Sequence, residues 1–471
     1  RGLGDVYKRQ GEKIPGKLQL ENQDGEFAIK SKKDFVNLVD KIRLHCYLID
    51  ELTKEDIWNI ASKYGIEIFK SRLSEITEAV LDVLKTGLNE GINKLHIDFI
   101  DQIWLLWHEK NLYKNVFLKW SNNLKVISID ECQDVDLLQI EFIKLLHKPS
   151  NNFIIAVGDR FQAIYLFRGA MSNGIDIIAE KFNCDRMPLT TNWRCGKKHI
   201  ELVRNIYPNI NLNPSPTALE GEIRIIKENH FLDIFDEADK NLSFFGISRK
   251  NAPLLIFAIR LLTFRYPVRI KDRNLGTKLL EKVREIVNND YDVNTFLSMV
   301  DNWFELQSLS LKKLPEKVQE QKLIELQDYY ECLVVLFEKF KPKSLNSWKI
   351  EIDKIFDEST TTRKIIDLYT IHSGKGGEGH YTFILYPENM PIKFEKQSQE
   401  EKQQEQHMIY VALTRCLARA KGGILWLVLE NRKEDKTHFP EWLPRNYRKL
   451  WKCDESKIDN SDEIDDSDVE F

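Results

Sequence analysis

Two short apolar runs, each closed by an acid, constrain this 471-residue chain most. Leu124–Ile129 (LKVISI) runs straight into Asp130, and Phe153–Val157 (FIIAV) into Gly158 and Asp159. Between them Leu138–Leu146 carries apolar residues at helical spacing, with Asp134 or Asp136 placed to cap its amino end. Strand, helix, strand at this separation predicts a βαβ unit, and near-continuous apolar strands are those of a buried parallel sheet. The pattern recurs further on. Strands are predicted at Glu222–Ile226, Leu242–Ser248, Ile365–Ile371, Tyr381–Leu385 and Ile424–Leu429, with helices over Ala252–Phe264 and Glu401–Ala420. Residues 30–120 and 275–360 read as helical and charged, the latter as an insertion within the second α/β set. Tyr207–Thr217 (YPNINLNPSPT) reads as a linker. The fold class is therefore α/β.

Composition excludes several classes. At 42% hydrophobic and 30% charged residues, the chain is an ordinary globular one. It holds no apolar run of about 18 residues, and so no predicted spanning helix. The formal net charge of -4 hides an asymmetry, because residues 454–471 contain nine acids and one base, Lys457, which leaves a mildly basic body. Such a body permits a polyanionic partner. The tail ends in acids before Phe471; it reads as a disordered solubilising segment, with docking of a protein partner as the alternative. Seven scattered cysteines without a CxxC pair suggest neither a zinc site nor a disulfide framework, and a reducing, cytoplasmic compartment fits.

The residues that carry chemistry gather after the strands, where open α/β sheets place ligands. Asp130 could hold Mg²⁺ on a nucleotide phosphate, and Glu131 beside it could deprotonate a water; the same acids would also serve as a helix cap and solvated surface. In Phe153–Ala170 (FIIAVGDRFQAIYLFRGA), Gln162 could sense a terminal phosphate. Tyr165 and Phe167 offer flat faces for bases, and Arg168 could pair with a phosphate.

Taken in order, these segments resemble superfamily 1 helicases of the UvrD/Rep/PcrA type. Asp130–Asp134 (DECQD) resembles their Walker B motif. Gly158–Ala170 resembles GDxxQSIYxFRGA, with Ala163 for Ser. Leu189–Arg194 (LTTNWR) resembles motif IV, with Trp193 for Tyr. Ser248–Leu262 resembles the start of the second core domain, with Arg249 matching. Thr370–Gly379 (TIHSGKGGEG) resembles TIHxSKGLE, and Glu405–Arg415 (EQHMIYVALTR) resembles motif VI. Ile97–Leu106 (IDFIDQIWLL) resembles the DFDDLL-like segment ahead of Walker B.

The resemblance implies two RecA-like parallel-sheet core domains with mostly helical inserted subdomains. Residues 1–29 fall outside the fold reading. Residues 30–120 would be the remnant of core domain 1A with its 1B insertion, and 121–213 the rest of 1A. Core domain 2A would occupy 214–274 and 363–453, interrupted by a 2B-like helical insertion at 275–362 and followed by the tail at 454–471. The implied function is an ATP-dependent helicase or translocase moving 3′ to 5′ on single-stranded DNA and duplex/single-strand junctions, with ATP and Mg²⁺ as cofactors. By the same resemblance Asp130 would bind Mg²⁺, Glu131 would be the general base, and Gln162 would contact the γ-phosphate. Arg194 and Arg415 would reach it from opposite core domains. Trp193 would stack on adenine, Glu378 would accept from the ribose, and Arg249 belongs to the nucleotide-binding set. Tyr165, Phe167, Arg168 and the His372 region would face DNA. Gly374 and Gly377 depart from the usual pattern, and four glycines in Gly374–Gly379 predict a flexible loop.

A P-loop needs GxxxxGK followed by Ser or Thr after a strand. Gly11–Lys17 (GEKIPGK) has the spacing but precedes Leu18 and follows no apolar run. Gly196-Lys197 and Gly374-Lys375 lack the earlier glycine. With Arg rather than Met at position 1, the expectation is an N-terminally truncated chain that hydrolyses ATP negligibly, cut from an active parent. The alternative is a catalytically dead module that binds DNA or a partner.

Overall fold

The computed structural model describes residues 28–29, 31–230, 239, 242–264, 266–287, 291–312, 314, 316–356, 366–418, 423–430 and 439–450. The GEKIPGK segment and the acidic tail lie outside them. The chain divides into two compact units. The first comprises Arg1–Leu189, Asn274–Lys354 and Pro391–Val411, and the second Thr190–Arg273, Ile355–Met390 and Ala412–Phe471. Among the described residues no helix is long and apolar enough to cross a membrane.

In the first unit, helices Lys32–Leu44, Lys54–Lys63, Leu73–Lys94 and Asp101–His108 bury one face each, and Phe35, Leu38, Ile42, Ile57, Ile76, Val80 and Trp104 form their common core. Each such side chain taken from water contributes roughly 1.5–3 kcal/mol. Helix Lys114–Asn123 leads into β1 (Val126–Ile129), which pairs in parallel with β2 (Phe153–Ala156), Val126 opposite Phe153 and Ile129 opposite Ala156. The connecting helix Leu137–Leu146 starts where the sequence placed it. Of the two candidates, Asp136 is the cap, closing a reciprocal box with Gln139. Ile129, Ile140 and Ile178 of helix Gly174–Lys181 cover one face of the pair, with Ile127, Ile154 and Ala156 packed against them. On the other face Val126, Phe153, Ile155 and Val157 are exposed.

The helices Arg273–Ile286, Phe296–Leu311, Glu316–Phe340 and Leu345–Phe356 confirm the helical reading of the insertion. Residues 274–354 group with the first unit, however, and not with the second α/β set. Lys317 and Gln321 of the insertion both bind Glu401, at 2.8 and 2.9 Å, within that unit.

Among the described residues the second unit is built on six parallel strands: β5 (Glu222–Lys227), β6 (Phe244–Ser248), β7 (Val268–Ile270), β8 (Ile366–Thr370), β9 (Tyr381–Leu385) and β10 (Ile424–Leu429). Their order is β5-β10-β9-β6-β8-β7. Every residue of β9, and all but the first of β10, is buried, as a sheet covered on both faces requires. The expected linker is not one. Asn213–Pro214 (β4) pairs in parallel with Thr191–Asn192 (β3) inside this unit, so the division falls after residue 189 instead of 213. The helix expected over Glu401–Ala420 runs from Gln399 to Leu413. It stops there because the next residues turn into a bridge between Cys416 and Gly379.

Candidate nucleotide and nucleic-acid residues

The acids at the end of β1 are exposed, and their backbone is tightly held. Glu131 adopts a left-handed conformation (φ 49°), uncommon for a residue with a side chain. The Asp130 carboxylate accepts the Glu131 amide at 2.9 Å, and the Cys132 amide donates to the Val157 carbonyl at 2.9 Å, tying the loops after β1 and β2 together. Behind them sits Gln133, fully buried. Its Nε2 donates to Glu131 Oε2 at 2.5 Å and its Oε1 accepts the Asp159 amide at 2.9 Å. Gly158 has no side chain because a Cβ there would lie 2.3 Å from Gln133 Oε1. Asp159 extends the network. Its Oδ1 accepts the Phe161 amide at 3.0 Å, and its Oδ2 accepts Gln162 Nε2 at 2.9 Å and the Tyr410 hydroxyl at 3.0 Å. The structure thus brings Asp130, Glu131 and Gln162 into one hydrogen-bonded network. Gln133, Asp159 and Tyr410, which sequence reasoning did not single out as site residues, are its links.

The next turn presents the aromatic residues. Leu166–Arg168 is a 3-10 turn closed by Gly169 at φ 104°. The Arg168 guanidinium lies 4.5 Å from the Tyr165 ring centre and 5.5 Å from that of Phe167, and the two rings meet edge to face at 6.0 Å. Phe167 and Arg168 are exposed and Tyr165 half-buried, so the cluster is a surface feature and not core. One face of helix Gln399–Leu413 supports it. Gln404 accepts the Leu166 amide at 2.9 Å, and His407 Nδ1 donates to the Ala163 carbonyl at 3.1 Å. Burial lowers the His407 pKa, favouring the neutral ring.

In the second unit Arg194, Glu378 and Arg415 surround Cys195. Arg194 Nε donates to Glu378 Oε2 at 2.6 Å, with both side chains about one third exposed. Arg415 is buried; its guanidinium donates to the Lys375 carbonyl and, at 3.0 Å, to Thr414 Oγ1. The Ala418 amide donates to the Arg194 carbonyl at 2.9 Å, and the Cys195 thiol to that of Thr414 at 3.5 Å. Both arginines therefore belong to one unit, and the expectation of opposite domains does not hold. Burial pushes the Cys195 thiol up to about 11 despite the two cations. Trp193 is exposed next to them.

Arg249 and His372 lie elsewhere. They follow Ser248 and Thr370, which are paired at the carboxyl ends of β6 and β8, whereas Glu378 precedes the amino end of β9. The five residues of β6 separate these ends by roughly 13 Å. The intervening loop runs back past β6, and its glycines have a different cause from the flexibility expected. A Cβ on Gly377 would lie 2.3 Å from the Phe245 ring and one on Gly379 2.6 Å from Phe245 Cβ; neither glycine has a positive φ. Close packing selects them.

Residues 17–183 match the model of the UvrD/REP helicase N-terminal domain. A probable DNA helicase II homolog of Mycoplasma pneumoniae is 23% identical over 385 residues, covering 63% of this chain and 54% of that protein. The RecBCD enzyme subunit RecB of Borreliella burgdorferi is 37% identical over 127 residues, 26% of this chain and 11% of that one. The ATP-dependent DNA helicase Rep of a Buchnera aphidicola is 25% identical over 248 residues, 47% of this chain and 36% of that one. The chain thus spans about half the length of the first of these relatives, and less of the others. The similarity to the UvrD/REP helicase N-terminal domain thus covers residues 17–183, about a third of the chain.

Proposed function

We propose that the chain is part of an ATP-dependent motor that moves 3′ to 5′ on single-stranded DNA and acts at duplex/single-strand junctions. The observation that carries this reading is the network from Glu131 through Gln133 and Asp159 to Gln162. A base for water and an amide for a terminal phosphate gain from being held in fixed register, because phosphoryl transfer is mostly positioning and electrostatics. Asp130 fits one ligand to Mg²⁺: it is an exposed carboxylate at a strand end, and Mg²⁺ usually takes one or two carboxylates, completing its shell with water and phosphate oxygens. When bound, the ion would neutralise phosphate charge. Arg194 and Arg415 are the guanidinium candidates for the γ-phosphate. Trp193, Glu378 and Arg249 are the remaining nucleotide candidates, and Tyr165, Phe167, Arg168 and His372 the DNA candidates.

Because the 471 residues contain no P-loop motif, the chain alone is proposed to bind single-stranded DNA while turning over ATP only at background. Binding of a fluorescent oligo-dT is to be compared for the wild type, Phe167→Ala and Arg168→Ala, and ATPase for the wild type and Glu131→Gln. Weakened binding in both DNA variants supports the assignment; unchanged binding in both overturns it. ATP turnover that is lost in Glu131→Gln would overturn the proposed dependence on a P-loop.

A further inference from the structure

Helix Lys32–Leu44 buries Phe35, Leu38, Val39 and Ile42, and Lys41 falls on the same side. A buried ammonium is costly unless it is paired. Lys41 Nζ donates to the Phe167 carbonyl at 2.8 Å and lies 4.7 Å from the centre of the Tyr64 ring. One turn further on, Leu44 lies under Gly169, where a Cβ would come within 3.2 Å of Leu44 Cδ1. The turn that carries Phe167 and Arg168 therefore rests on Lys41, Leu44 and Tyr64. The charged neighbours of Lys41 are Asp40 on its own helix, Asp136 ahead of helix Leu137–Leu146, Arg168 in the turn and His45 just beyond the helix.

We propose that Lys41 is a positioning residue for nucleic-acid binding: by holding the Phe167 carbonyl from below, its ammonium fixes the angle at which the Tyr165 and Phe167 rings, beside Arg168, meet a single strand. This rests on the DNA assignment made above for those three residues. Lys41 is only 6% exposed and does not itself offer a charge to the strand. That separates it from a residue that binds phosphate. Loss of Lys41 should weaken stacking yet release the same number of counterions, so affinity falls while its salt dependence stays the same.

The test measures anisotropy of fluorescein-labelled oligo-dT with the full 471-residue chain over a range of salt concentrations, with a thermal melt of each variant. Lys41→Met should bind about tenfold more weakly, comparable to losing one stacked base, with an unchanged salt slope. Arg168→Ala should reduce the slope by about 1. Lys41→Met combined with Phe167→Ala should lose less than the two separate losses added, because part of the Lys41 effect acts through the Phe167 ring. Lys41→Arg should bind near wild type. If Lys41→Met does not fold, Lys41→Leu, which likewise lacks a donor, is read against the same expectations. Wild-type binding by Lys41→Met alongside a loss in Phe167→Ala overturns this inference and leaves the DNA assignment standing. Wild-type binding by both Phe167→Ala and Arg168→Ala overturns the DNA assignment itself. A reduced slope in Lys41→Met makes Lys41 a phosphate contact and also overturns the inference.

Discussion

Replacing Arg43 by Met should destabilise the first unit strongly at neutral pH and progressively less in mild acid. Arg43 is buried on helix Lys32–Leu44 and donates to Asp98 at 2.7 Å and to Asp101 and Asp40 at 2.5 Å each. Asp98 and Asp101 are themselves buried and cap one another's amides at 3.0 and 2.8 Å. Burial raises the Asp101 pKa above its ordinary value, and Arg43 opposes that rise. A raised carboxyl pKa means that folding favours the protonated form. The contribution is complete below the unfolded-state value and is lost as pH rises through the folded one. Met keeps the apolar stem but strands two buried carboxylates, at a cost of about 3–5 kcal/mol. The Asp101 pKa should then climb further, so the deficit shrinks as pH falls from about 7 toward about 5. Two units need not unfold together. Native-state hydrogen exchange on peptides from helices Lys32–Leu44 and Asp101–His108, compared with the wild type at each pH, isolates the effect. A loss below about 1 kcal/mol at neutral pH, or one independent of pH, would refute the argument. Adding Asp98→Asn and Asp101→Asn should recover much of the loss, since no buried charge then remains unpaired.

Gln133→Leu removes the donor to Glu131 and leaves the Asp159 amide without its acceptor. A cost of about 1–3 kcal/mol in urea unfolding is expected, and a neutral result would contradict the network. Gly377→Ala should cost about 1–3 kcal/mol by driving a methyl into the Phe245 ring, whereas Gly376→Ala, with nothing within 4 Å, should stay within about 0.5 kcal/mol. Equal effects at both glycines would favour loop freedom over packing. Burial lowers the Lys41 pKa to about 8. Above that value the unfolded chain holds this proton more firmly than the folded one, so stability should gain from this group as pH rises from about 8 toward about 10, and Lys41→Met should lack that gain.

Elements with a local signature were legible in the sequence. An apolar run stopped by an acid marked β1 and β2, and a polar residue before an apolar run marked the Asp136 cap. β7 was missed because three residues, Val268–Ile270, offer no period to detect; it is fixed by parallel pairing with β8, where Arg269 also meets Asp367. The helix end at Leu413 and the β3–β4 pairing depend on backbone partners far along the chain. The same distinction separates the site residues. Glu131 and Gln162 stand in recognisable strings, whereas Tyr410 meets Asp159, and Lys41 meets Phe167, across sequence gaps that no local pattern encodes.

On the reading proposed above, the two candidate arginines of the second unit are not equivalent, and the difference orders their response to nucleotide. The resemblance gives Arg194 the γ-phosphate and Glu378 the ribose, opposite ends of one ligand, yet here the two form an ion pair at 2.6 Å. A pair this open to solvent is worth only about 0–1 kcal/mol, small against the roughly 8 kcal/mol of a micromolar ligand, so nucleotide could part it readily. Arg415 is held differently. It is buried, with the Lys375 carbonyl among its acceptors, and Lys375 lies in a loop whose Gly374, Gly377 and Gly379 are packed against Phe245. Releasing that guanidinium leaves a buried carbonyl without its donor and requires a close-packed segment to shift. Arg194 can therefore answer a phosphate by side-chain rotation alone, while Arg415 can do so only if the Gly374–Gly379 loop moves with it, and Gly377→Ala, which strains that packing, should perturb Arg415 before Arg194.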